Sequence, residues 1–65
     1  MPVIRDVIYR REAAGWTPIE RFDRDAPLAA ERRVDELRAA LARTAFRLWV
    51  FTTAGRRLLR DTEEE

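Results

Sequence analysis

Between positions 46 and 53 the chain reads Phe-Arg-Leu-Trp-Val-Phe-Thr-Thr, a run of aromatic and β-branched residues that favours a strand. Phe46, Leu48 and Val50 fall on one parity; Trp49 and Phe51 fall on the other, flanked by Arg47 and Thr53. A strand with one buried face alternates apolar and polar residues, so apolar side chains on both parities call for cover on both faces. The rest of the chain offers one substantial helix, enough for one face. Whatever covers the second face, another copy or a different molecule, is the expected route to function.

Sixty-five residues make one small domain, which buries only about 60% of its unfolded surface and gains from extra stabilisation. The chain has no Cys and no His, so disulfides and ordinary zinc sites are excluded. Asp23 and Asp25 fall far short of a calcium loop, and no cofactor or metal is expected. Association is the remedy left open. No stretch approaches the roughly 20 apolar residues of a membrane span, and the first residues carry no signal-peptide pattern. No membrane contact is expected, and the expected setting is cytoplasmic.

All thirteen basic residues are Arg, and ten residues are Ala, while Lys, Ser, Asn and Gln are absent. A high-GC bacterial or phage genome is the simplest source of that bias. Its physical consequence stands regardless. Guanidinium groups are planar, weakly hydrated, and bond carboxylate or phosphate in pairs.

Residues 3 to 22 read as a β-hairpin. Val3, Ile4, Val7, Ile8 and Tyr9 favour strands, Ala13-Ala14-Gly15 supplies the turn, and Trp16 to Phe22 returns. Gly15 is expected in the left-handed conformation of a three-residue hairpin loop. Pro18 cannot donate to a ladder, which places the return strand at an edge or that position toward solvent. Asp25 reads as an N-cap and Pro27 as a first-turn residue. From about residue 26 to 44 the apolar spacing is helical, with Ala30, Val34, Leu37, Leu41 and Ala45 on one side. Glu31, Asp35 and Arg38, among Ala39 and Ala42, form an outer, solvated side. After the strand at 46 to 53, Thr53-Ala54-Gly55 turns the chain again.

The two hairpins match at an offset of forty residues: Ile8 with Leu48, Tyr9 with Trp49, Ala14-Gly15 with Ala54-Gly55, Ile19 with Leu59. The expected fold is therefore α+β, a small antiparallel sheet built hairpin-helix-hairpin (ββαββ), with one helix packed on one face. Residues 1–60 form the domain and 61–65 an acidic flexible tail. The alternative is an all-α bundle. In it the helix runs on through Leu48 and Phe51 to a cap at Gly55, and Pro2, Val3, Ile4, Val7 and Ile8 begin another helix. Which inner-face positions the first strand's apolar residues occupy depends on a bulge that the sequence does not reveal.

Without Ser, Cys, His or Lys there is no conventional activated nucleophile and no base that titrates near neutral pH. An enzyme is not expected. Residues 43 to 60 contain Arg43, Arg47, Arg56, Arg57 and Arg60 and no acid, interleaved with Phe46, Trp49 and Phe51. The expected function is a small non-catalytic protein-binding module. Tyr9, Trp16, Trp49 and Phe51 would be its anchors, and Arg47, Arg56 and Arg57 its rim. The partner is a second copy of the chain, as a homodimer, or another protein. A phage or mobile-element inhibitor of the anti-CRISPR type is one specialised form. The alternative is single-stranded nucleic-acid binding through 43–60, with bases on rings and guanidinium groups on phosphates. A net charge of +1 weighs against it.

Overall fold

A computed structural model of the protein describes residues 3–23 and 27–65. Its elements are β1 (Val3–Glu12), β2 (Gly15–Asp23), α1 (Pro27–Ala40), β3 (Phe46–Thr52), β4 (Gly55–Asp61) and a closing 3-10 turn (Thr62–Glu64). The four strands form one antiparallel sheet in the order β2-β1-β3-β4. The chain is thus a small α+β domain with one helix, and the all-α bundle is excluded. No helix of the described residues is long and apolar enough to cross a membrane.

The helix buries Ala30, Val34 and Leu37 against Ile8, Phe46 and Leu48, with Ile19 and Phe22 packed alongside. Each Val, Leu, Ile or Phe side chain taken fully from water contributes about 1.5–3 kcal/mol. The helical stripe is shorter than its spacing implies. α1 ends at Ala40, and Leu41, expected in the core, is 42% exposed. Residues 41 to 45 instead turn the chain back, with the Thr44 amide donating to the Leu41 carbonyl at 2.9 Å. A helix continued to 44 would carry Phe46 past the sheet that buries it. Asp25, expected as the N-cap, lies outside the described residues.

Each hairpin closes the same way. Glu12 pairs with Gly15 and Thr52 with Gly55, and the two glycines take φ +130° and +137°. Only glycine enters that region without strain. The sequence match at forty residues extends through the entire ladder. Ile8 pairs with Glu20 and Leu48 with Arg60; Tyr9 pairs with Pro18 and Trp49 with Leu58; Arg11 pairs with Trp16 and Phe51 with Arg56. Both hairpins slip at the same place, leaving Ile19 and Leu59 as the extra residue of a bulge. The central pair β1-β3 is centred on Ile8 opposite Leu48. A pseudo-twofold axis therefore passes between Ile8 and Leu48 and relates the two hairpins.

The bulge at Ile19 settles which way β2 faces. Ile19 packs on the core, and Glu20, paired with the helix-facing Ile8, reaches Arg33 of α1. Pro18 lies before the slip and pairs with Tyr9 on the other face. β2 is an edge strand, as Pro18 requires.

The acidic end does not run free as a tail. Asp61 is the last residue of β4, and its carboxylate accepts from the Glu63 amide at 3.0 Å. The Thr62 hydroxyl accepts from the Phe46 amide at 2.9 Å. Glu65 accepts from Arg38 at 2.6 Å and from Arg60 at 2.8 Å. These bonds to Phe46, Arg38 and Arg60 close 61–65 onto the domain. The helix side expected to be solvated is exposed at Asp35, Arg38 and Ala39, and Arg60 reaches Asp35 there at 2.8 Å.

Candidate functional site

The helix covers one side of the sheet; among the described residues no element packs on the other. Strand alternation decides what stands there. On β3, Phe46, Leu48 and Val50 are buried toward the helix, and Arg47, Trp49 and Phe51 are half-buried on the open side. Register then carries the open side across the sheet: Tyr9 lies opposite Arg47, Val7 opposite Trp49, Arg5 opposite Phe51, and Arg56 opposite Phe51 from the other flank. Trp16 joins through its pairing with Arg11. Six of the seven expected binding residues, Tyr9, Trp16, Arg47, Trp49, Phe51 and Arg56, thus share one face.

Arg57 does not. It pairs with Val50, whose side chain is buried toward the helix, so Arg57 belongs to that side of β4. Sequence neighbours on a strand point to opposite faces, and Arg56 and Arg57 cannot both rim the same surface.

Two tryptophans on this face are each capped by a guanidinium. Arg47 sits over the Trp16 ring at 4.1 Å and Arg56 over the Trp49 ring at 4.6 Å. Arg47 is also bonded to Asp61 at 3.0 Å, where the carboxylate is only 7% exposed. Trp16, Arg47 and Asp61 form a closed clamp reaching from β2 to β4.

On the opposite flank the face is concave. A cavity of about 400 Å³ is floored by Val7, Tyr9, Pro18 and Phe51 and ringed by Arg5, Arg21 and Arg56. No carboxylate lines it among the described residues. Arg5, Arg21 and Val7 escaped the sequence reading. Their signal was present, since Arg5, Val7, Tyr9 and Arg11 share one parity on β1, but Arg21 reaches that face only because of the bulge at Ile19.

Elsewhere several charges are paired. On the helix side Arg33 bonds Glu20 at 2.8 Å, which holds the guanidinium above its ordinary pKa. Arg60 is held higher still by Glu65, and Glu65 is lowered in return. Arg11 reaches Glu63 at 3.0 Å. Asp6, on the helix side opposite Val50, is buried to 2% exposure. That burial, with the Glu31 carboxylate nearby, raises its pKa. Among the described residues no group of three His, Cys, Asp or Glu is placed to hold a metal ion. No protein-family model matches the chain, and neither does any curated protein or solved structure.

Proposed function

We propose that the chain is a small non-catalytic module that binds another protein through the open face of its sheet. The observation that carries this reading is the grouping of Tyr9, Trp16, Trp49 and Phe51 with Arg47 and Arg56 on a face that no other element covers among the described residues. Half-buried Trp, Tyr and Arg are the side chains on which interface energy concentrates. An inhibitor of the anti-CRISPR type is one form such a module takes, and it would use the same face.

The capped rings favour protein over single-stranded nucleic acid. A base stacks on a free ring face, whereas Trp16 and Trp49 each carry a guanidinium at stacking distance. A homodimer built face to face is opposed by charge, because it would bring Arg5, Arg21 and Arg56 of two copies together.

The test compares immobilised wild type with Trp49→Ala against nuclease-treated bacterial lysate, with light scattering of both in isolation. The reading holds if a defined protein is retained by wild type, survives nuclease and is lost with Trp49→Ala. It fails if the retained material is nuclease-sensitive, or if retention ignores Trp49.

A further inference from the structure

The pseudo-twofold axis gives every position on the open face a counterpart forty residues away, so the two flanks can be compared as two copies of one site. Around the clamp, Arg47 fills the surface, Trp16 carries it, and Asp61 neutralises it. Their counterparts around the cavity are Val7, Arg56 and Arg21. The cavity exists where it does because Val7 is too short to fill the space that Arg47 fills in the other copy. Charge is inverted as well. Where the filled copy offers a carboxylate to a guanidinium, the open copy offers the guanidinium of Arg21, with Arg56 in place of the tryptophan and Arg5 where the other copy has Ala45.

We propose that this cavity is the specificity pocket of the module and that its occupant is an acidic segment of a partner protein. One apolar side chain of that segment would seat on Val7, Tyr9 and Phe51, with flanking carboxylates paired to Arg5, Arg21 and Arg56. The inference rests on the open face being a protein-binding surface and names the chemistry of the partner. The filled copy serves as the internal precedent: a charged group lying on an aromatic floor, anchored by its opposite on strand β4. In the open copy the signs are reversed and the anchor stands on β2. The cavity volume falls within the range of surface pockets that receive small ligands or anchor groups. Guanidinium groups at its rim would give bidentate bonds to carboxylates.

The experiment uses fluorescein-labelled synthetic peptides and the intact protein, read by anisotropy. One peptide has a phenylalanine flanked by glutamates, a second has alanine in place of the phenylalanine, and a third has glutamines in place of the glutamates. A labelled oligothymidylate is the nucleic-acid arm. The acidic phenylalanine peptide should bind, the alanine peptide about tenfold or more weaker, and the glutamine peptide weaker still. Arg5→Gln with Arg21→Gln should weaken the first peptide about tenfold with an unchanged circular dichroism spectrum. Equal binding of the phenylalanine and alanine peptides would reduce the pocket to a charged surface and overturn the proposal. So would tighter binding of the oligothymidylate, or no peptide binding at millimolar concentration. If Trp49-dependent capture of a partner persists while the Arg5 and Arg21 changes leave it untouched, the pocket assignment fails and the module reading stands. If capture itself ignores Trp49, both fail.

Discussion

Ile8 and Leu48 face each other across the central strand pair, both fully buried, at the point where the two hairpins are related by their pseudo-twofold axis. The helix contributes Ala30 and Val34 to the same cluster. Truncation of either central residue therefore removes contacts to both hairpins and to the helix at once. Ile8→Ala and Leu48→Ala are each expected to cost about 2–5 kcal/mol, a large part of the stability of a domain this small. Because the two side chains belong to one cluster, the double variant should depart from additivity. Urea unfolding of the single and double variants measures both effects, and additive losses would show that the two sites are independent.

Arg47 serves two partners, the Trp16 ring and the Asp61 carboxylate. Removing it uncovers a carboxylate that is 7% exposed, so Arg47→Ala should destabilise by about 1–3 kcal/mol. Removing Asp61 along with it should recover part of that loss, because no unpaired buried charge remains. The cation–π contact is expected to contribute about 0.5–1 kcal/mol, read from a double-mutant cycle of Trp16→Ala and Arg47→Ala. A coupling of zero in that cycle would make the stack a geometric neighbour only.

Asp6 sets a pH dependence opposite to that of the paired acids. Burial and the Glu31 charge raise its pKa, so the folded state holds this proton more tightly than the unfolded chain. The resulting stabilisation is complete below the ordinary carboxylate range and is lost as pH rises through the raised folded value. Glu65 is lowered by Arg60, and its contribution is present at neutral pH and lost on acidification. Asp6→Asn should therefore gain on wild type in melting temperature as pH rises from the ordinary carboxylate range towards neutrality. Melting curves across that range decide it: parallel profiles would mean that Asp6 does not titrate there.

Much of this molecule was legible in the chain. The run from Phe46 to Thr52 is a strand with apolar residues on both sides because aromatic and β-branched residues at a period of two leave few alternatives. Gly15 and Gly55 mark both turns, and their shared offset announced the repeat that the ladders carry through in full. Tyr9, Trp16, Trp49 and Phe51 stood out by residue type, and the strand register places them on one face.

What tertiary structure decided was direction. A strand's alternation is fixed locally, but which parity faces the helix is set by bulges, and those at Ile19 and Leu59 exist because the edge strands must bring Glu20 and Arg60 to the helix while Pro18 and Leu58 turn outward. That choice moved Arg21 onto the open face and left Arg57 on the other. It also drew Asp61 to Arg47 and Glu65 to Arg60, tying down an acidic end that composition alone marks as loose. Residue types supplied the aromatic and cationic groups. Long-range strand pairing, which no local window contains, sorted them into one filled and one open copy of the same site.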